Sequence, residues 1–209
     1  MARKKYAKPQ IGPAKTSIVV GVKCEPIMGQ RASDEIMLTL IAMEQSIEEV
    51  NRDPKSHVER SVRMLSDPDM LRAGVARLYD AFVARADISD AIPGLEKALE
   101  QLDGATLSLN VCLLTEHYMS EPDHEKIFAL LDHENQQIVR DTIDILRDFA
   151  KEGKDISPFV NHLISNVMNP DLNISKSSFL ALESAALVLQ DPVAFFFIKH
   201  IYDQESGRC

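Results

Sequence analysis

The sequence predicts an all-α protein in which antiparallel helix pairs are stacked in a row behind an N-terminal arm. From Ser33 onward, apolar residues recur every three or four positions, which is the period of an amphipathic helix. Polar turns interrupt this pattern at short intervals and leave ten helices of 9 to 17 residues, with no convincing strand among them. Helices of this length joined by short turns bury one face each, so neighbouring hairpins are expected to stack.

The helices follow one another from residue 33. Ser33 is suited to cap the first helix, and Asp34 and Glu35 in its first turn complement the positive end of the helix dipole. That helix ends at the Asn-Arg-Asp-Pro turn of residues 51–54, and Pro93 suits the first turn of the fourth helix. The other helices are expected at about 55–65, 69–85, 93–102, 105–120, 123–131, 136–151, 157–168, 173–189 and 192–203.

Several of the turns resemble one another. The predicted helices end at Leu65, Leu102, Leu131 and Met168, at spacings of 37, 29 and 37 residues. Residues 130–140 read LLDHENQQIVR, where a leucine pair ends one helix and a Val-Arg pair begins the next. Residues 65–72 (LSDPDMLR) and 169–175 (NPDLNIS) are similar, whereas the turn at residues 102–104 departs furthest.

These turns resemble those of HEAT repeats. An echo between residues 87–89 and 155–157, both Asp-Ile-Ser and 68 residues apart, supports the same register. The resemblance covers about residues 55–203 and implies a short right-handed α-solenoid of about five helix pairs. It also implies a concave face made by the second helix of each pair, where partners of HEAT-like proteins commonly bind, and it specifies a fold rather than a function.

Charge divides the chain into a basic arm and an acidic body. The formal net charge is −9, from 23 basic and 32 acidic residues. Residues 1–31 hold seven basic side chains and one acidic side chain, a net +6, so residues 32–209 carry −15. We expect residues 1–32 to form an extended or partly disordered arm, residues 33–203 the repeat domain and residues 204–209 a tail. The arm residues suited to bind phosphates are Arg3, Lys4, Lys5, Lys8 and Lys15.

Residues 17–22 of the arm are uncharged and rich in β-branched side chains, which is typical of a short strand. Two alternatives stay open, an ordered arm that lies along the body and a strand that joins a partner's sheet.

Catalytic motifs are lacking in the sequence. It contains no G-x-S-x-G, no glycine-rich phosphate loop, no C-x-x-C and no H-E-x-x-H. His124-Glu125 and His133-Glu134 superficially look like the ligand pairs of metal-binding HEAT-type hydroxylases. Their spacing of nine residues is half a turn beyond two full turns, so the two histidines should face opposite sides of a helix. We therefore predict no catalytic residues, no metal site and no cofactor, with a metal-dependent oxygenase as a minor alternative.

Cysteine usage and hydropathy indicate the compartment. Three cysteines without a paired motif do not form a disulfide framework, and Cys112 lies among apolar neighbours as a small hydrophobe would. The longest apolar run, residues 193–198, is too short to cross a bilayer. A reducing, cytoplasmic location is expected.

The last helix is apolar nearly all the way round, whereas a terminal repeat should have one polar face. The residues that we predict to bind a partner are Phe195, Phe196, Phe197, Ile198 and Tyr202. Either the chain's own arm or tail covers this helix, or a partner protein or a second copy does.

The predicted function is therefore a non-enzymatic protein-binding scaffold or adaptor that uses the concave face and the last helix. The negative body favours basic protein partners, and a homodimer is an alternative. The alternative function is an association with nucleic acid through the basic arm.

Overall fold

The computed structural model describes residue 45, residues 47–121 and residues 123–206, and the described part of the chain is helical with no strand. The prediction of an all-α protein is confirmed. Residues 47–52 are helical, and the helices that follow are α1 (Pro54–Met64), α2 (Leu71–Val83), α3 (Ile92–Ala98), α4 (Gly104–Ser120), α5 (His124–Leu131), α6 (Gln136–Lys151), α7 (Val160–Val167), α8 (Leu172–Ser184) and α9 (Pro192–Ser206). The arm at 1–32, its strand at 17–22 and the start of the first predicted helix lie outside the described residues.

Long and short helices form two sets with different neighbours. The long helices α2, α4, α6 and α8 pack in chain order, each against the next. The short helices α3, α5 and α7 each pack against the long helix that follows, and α9 packs against α7 and α8. The core therefore runs along the row of long helices, with the short helices beside it.

The same core position recurs in each long helix. A small or polar residue is buried there, and a leucine with no exposed surface follows four residues later. The buried small or polar residues are Gly74, Asn110, Thr142 and Ser178, at spacings of 36, 32 and 36 residues, and the leucines are Leu78, Leu114, Leu146 and Leu182. The long helices thus present equivalent faces to the core, although their sequences share few identities.

The two Asp-Ile-Ser segments adopt the same local structure. Asp87 Oδ1 accepts a hydrogen bond from the Ser89 N–H at 3.0 Å, and Asp155 Oδ1 accepts one from the Ser157 N–H at 2.9 Å. Each segment leads into a 3₁₀ turn, Ser89–Ala91 before α3 and Ser157–Phe159 before α7. At the second segment the structure corrects the predicted helix start from residue 157 to Val160, because the side-chain bond favours a tight turn over a regular helix start. Helix α3 also ends at Ala98, before the predicted end at residue 102.

Helix α8 ends in a π-helical turn, Ala185–Leu189, that the sequence periodicity does not predict. Gln190 follows with a φ of 54°, in the left-handed region, and breaks the helix. Asp191 is buried and caps α9, since its Oδ1 accepts a hydrogen bond from the Ala194 N–H at 2.9 Å. Helix α9 then continues to Ser206, three residues past the predicted end.

One described helical stretch, Leu172–Leu189, is long and apolar enough to cross a bilayer, with a mean hydropathy of 1.2. Its side chains Ile174, Ala181 and Leu182 are buried in the core. Core helices of helical domains pass the same test of length and composition, so this stretch is weak support for a membrane span.

Candidate protein-binding site

Four apolar side chains close together in the chain are exposed where it turns from α8 into α9. They form a surface that we call the C-terminal apolar patch, and their exposed fractions are 48% for Val188, 48% for Val193, 49% for Phe195 and 69% for Phe196. The Phe195 and Phe196 rings contact each other edge to face, with centroids 6.0 Å apart. Large exposed apolar groups that cluster in this way are typical of protein interfaces.

The five predicted partner-binding residues differ in how far they are exposed. Phe195, Phe196 and Tyr202 are exposed, as the prediction requires, and Phe197 is half-buried against the core. Ile198 is only 8% exposed, because together with Ala194 it forms the side of α9 that packs on the core. Ile198 therefore holds the helix in place and does not offer a binding surface.

Position in the row of helices explains why Phe195 is exposed. Phe195 precedes the buried Ile198 by three residues, as Ile92 precedes Leu95 in α3 and Val160 precedes Leu163 in α7. Ile92 and Val160 are 8% and 2% exposed, and further helices follow each of them. Helix α9 is the last described helix, so the equivalent aromatic ring lacks this cover.

The turns that join long helices to short helices lie along one edge of the row. An open groove there is lined by Asp87 from the turn after α2, Glu116 from the end of α4 and Lys154 from the turn after α6. The opposite edge carries the starts of the long helices, where Arg72 Nη2 lies 2.7 Å from Asp103 Oδ1 and Gln137 Nε2 donates to the Gly104 carbonyl at 2.7 Å. The C-terminal apolar patch follows α8, at the equivalent turn of the last pair.

This edge is negative on balance, because its exposed carboxylates outnumber the exposed cations Arg85 and Lys154 that line the groove, and we call it the acidic edge. Its exposed carboxylates are Asp87, Asp90, Glu121, Asp123, Glu152 and Asp155. The hydrogen bonds from Ser89 and Ser157 hold the pKa of Asp87 and of Asp155 below their ordinary value. Lys154 neutralises only part of the edge, since its Nζ pairs with Glu152 at 3.1 Å and with Glu116 at 3.5 Å and lies 4.0 Å from the centre of the Phe149 ring.

A polar cluster that the sequence analysis missed joins α3, α4 and α5. The Tyr118 hydroxyl donates to Glu96 Oε1 at 2.6 Å, and the Lys126 ammonium donates to the same oxygen at 2.8 Å. These two donors lower the pKa of Glu96, and Glu96 in turn raises the pKa of Lys126. Burial, followed by the bond to Glu96, raises the pKa of Tyr118. The three residues are 8 to 30 positions apart in the sequence, so their meeting depends on helix packing.

Acid should weaken the contribution of this cluster to stability. Because the folded-state pKa of Glu96 lies below its ordinary value of 4.5, its interactions are fully present above that value and are lost as the pH falls through the folded pKa. We expect Glu96→Gln to lower the free energy of unfolding by about 0.2–1 kcal/mol near neutral pH, a size typical of exposed ion pairs. Urea titrations from pH 7 to pH 3 should show this difference shrinking in acid. Glu100→Gln, at an exposed position nearby, is the control, and a difference that stays constant with pH would contradict the assignment.

The two candidate metal-binding histidines lie in different surroundings. The His124 ring contacts Phe159 edge to face at 5.3 Å, whereas His133 Nδ1 accepts a hydrogen bond from the Asn135 N–H at 3.0 Å in the turn before α6. Among the residues that the structure describes, no group of three or more His, Cys, Asp or Glu side chains is placed to hold a metal ion. Burial raises the pKa of the Cys112 thiol to about 11, which makes it a poor nucleophile.

The phosphate-binding residues predicted in the arm, Arg3, Lys4, Lys5, Lys8 and Lys15, lie outside the described residues. Comparisons with protein-family models, with curated proteins and with solved structures find no match to this chain.

Proposed function

We propose that this chain is a non-enzymatic, protein-binding scaffold, a short HEAT-like solenoid of helix pairs. The partner that its surface fits is a basic protein segment with an apolar or aromatic anchor. The observation that carries the proposal is the exposure of Phe196, 69% in a helix whose other side is packed in the core. Exposed aromatic rings beside well-packed elements are frequent anchors of protein interfaces.

The position of Phe196 connects two surfaces. It precedes Ile198 by two residues, as the exposed Pro93 and Asn161 precede Leu95 and Leu163 in the earlier short helices. Phe196 thus belongs to the outer side of the short helices, which is the concave face in the HEAT-like arrangement. Its neighbours Val193 and Phe195 begin α9 at the turn that continues the acidic edge.

The acidic edge favours a basic partner. Carboxylates at three successive turns attract lysine and arginine side chains over a distance, which speeds the encounter, and the apolar anchor then contributes most of the affinity. A segment that lies along the edge would place its basic residues against Asp90 and Glu121 and its anchor against the C-terminal apolar patch.

Phe196→Glu tests the anchor. We expect this variant to lose a partner that wild-type chain captures stoichiometrically, with affinity for the purified partner reduced about 30-fold or more, the size of an interface hot spot. Quantitative capture followed by calorimetric titration with the purified partner measures the change. Met70→Glu is the matched control, since Met70 is 42% exposed in the turn before α2 and lies away from the patch.

A second pair of substitutions separates the charge contribution from the anchor. Asp90→Lys together with Glu121→Lys should slow association and flatten its dependence on salt while leaving dissociation nearly unchanged. A partner that binds the Phe196→Glu variant as tightly as wild type, or a wild-type chain that captures no stoichiometric protein, would show that the scaffold proposal is wrong.

A further inference from the structure

A second surface runs along α8, on the side of that helix opposite the core. Its side chains are Leu172, Lys176, Phe179, Glu183 and Leu187, spaced by four, three, four and four residues, and we call them the α8 stripe. Leu172 and Leu187 at its two ends are 82% and 77% exposed, and Lys176 is exposed. Phe179 and Glu183 are half-buried, since Tyr202 of α9 places its ring 6.2 Å from the Phe179 ring and donates a hydrogen bond to Glu183. The last spacing, from Glu183 to Leu187, crosses the π turn. This turn has more residues per turn than an α-helix, which keeps Leu187 on the same side of the helix as the rest of the stripe.

The stripe lies where an earlier long helix would meet the next one. Phe179 directly follows the buried Ser178, just as Val75, Val111 and Ile143 directly follow the equivalent residues of α2, α4 and α6. Those three side chains have no exposed surface, and each of their helices packs against the next long helix. No described long helix follows α8, so Leu172, Lys176 and Leu187 stay exposed on either side of the place where Tyr202 of α9 contacts the stripe.

The order of the side chains along the α8 stripe suits packing against an antiparallel second copy of α8. When the stripe is read from either end, the sequence is a leucine, a charged residue, a phenylalanine, a residue of opposite charge and a leucine. Two copies of α8 laid antiparallel about a two-fold axis at Phe179 place Lys176 of one copy against Glu183 of the other, twice. The same axis pairs Leu172 with Leu187 at both ends. Parallel copies would instead place like charges together, at a cost in stability.

We propose that the α8 stripe is a two-fold dimer interface and that its occupant is α8 of a second copy of this chain. The surface is self-complementary, as an isologous contact requires. The two charged residues in the middle of the stripe oppose burial in a bilayer, where each would be costly. Since one helix pair lies near the lower size limit of specific interfaces, about 1,000–1,200 Å² in total, we expect a dissociation constant in the micromolar range.

Charge reversal tests the antiparallel geometry. In sedimentation velocity runs over a concentration series, the wild-type chain should approach twice the monomer mass of 23.4 kDa. Lys176→Glu alone and Glu183→Lys alone should each raise the dissociation constant at least tenfold, because each creates two like-charge contacts. An equimolar mixture of these two variants should restore dimers, because both contacts of the mixed dimer then join opposite charges.

Two control variants separate this interface from other effects. Glu183 Oε1 also accepts a hydrogen bond from the Tyr202 hydroxyl at 2.5 Å, so Tyr202→Phe, which removes this bond and keeps the ring, is a control and should leave the dimer intact. Phe196→Glu should also leave the dimer intact while it removes the protein partner, so failure of the scaffold proposal and failure of the dimer proposal are distinguishable. Circular dichroism at low concentration verifies that each variant is folded.

Three results would overturn the dimer proposal. The first is a wild-type chain that keeps the mass of 23.4 kDa across the series. The second is a mixture of the two charge variants that dimerises no better than either variant alone, and the third is a wild-type chain that floats with phosphatidylcholine vesicles in place of forming dimers.

Discussion

Replacing Phe159 with alanine is expected to lower the free energy of unfolding by about 3–5 kcal/mol, the range for large aromatic side chains removed from a core. Phe159 has no exposed surface and lies at the end of the 3₁₀ turn that starts α7. Its ring contacts the Phe128 ring at 5.2 Å and the His124 ring at 5.3 Å, so it joins α7 to α5. Urea unfolding followed by circular dichroism measures the change.

Phe196→Ala is the matched control for this substitution, because it removes the same atoms from a ring that is 69% exposed. The control should change the free energy of unfolding by no more than about 0.5 kcal/mol in a monomeric sample. If Phe159→Ala and Phe196→Ala destabilise the protein equally, the structure has assigned core and surface wrongly.

Gly74→Val should destabilise the protein by about 1–3 kcal/mol, the usual cost of overfilling a packed contact. A Cβ atom at Gly74 would lie 3.0 Å from the Met64 Cβ and 3.2 Å from the Ser61 carbonyl oxygen, so α1 would have to move away from α2. The direction is informative, because helix propensity alone favours valine over glycine in the middle of a helix. Thermal and urea unfolding give the sign.

Ala73→Val controls for β-branching, since it places the same side chain at the neighbouring, exposed position of α2. We expect it to cost only a few tenths to about 0.7 kcal/mol, the difference in helix propensity. A Gly74→Val variant as stable as wild type would mean that α1 and α2 are less closely packed than the structure has them.

Helix starts followed from local signals, to within one residue, wherever a capping side chain was present. Helix α6 begins at Gln136 and ends at Lys151, as the sequence predicts, and the Asn135 side chain accepts a hydrogen bond from the Gln137 N–H at 2.9 Å. The 3₁₀ turns before α3 and α7 and the π turn at the end of α8 were not predicted. These irregular turns depend on how the chain enters the next helix, and apolar periodicity does not record that.

The candidate site was predicted only in part. An excess of apolar residues in the last helix indicated a binding surface, but periodicity did not distinguish the exposed Phe196 from the buried Ile198 two positions later. The cluster of Glu96, Tyr118 and Lys126 gave no local signal, because its members come from three helices. Apolar periodicity also did not identify Lys176 and Glu183 as residues on the same side of α8.

By itself, the sequence determined the all-helical class, most of the breaks between helices and the division of charge between residues 1–31 and the rest of the chain, since all three depend on residues close together in the chain. Only the tertiary structure decided which face of each helix is buried, which turns share the acidic edge and which side of α8 lacks a neighbour. Burial and charge proximity depend on which helices pack together, and that packing is decided by contacts between residues far apart in the chain, such as Glu96 and Lys126 at a separation of 30 positions.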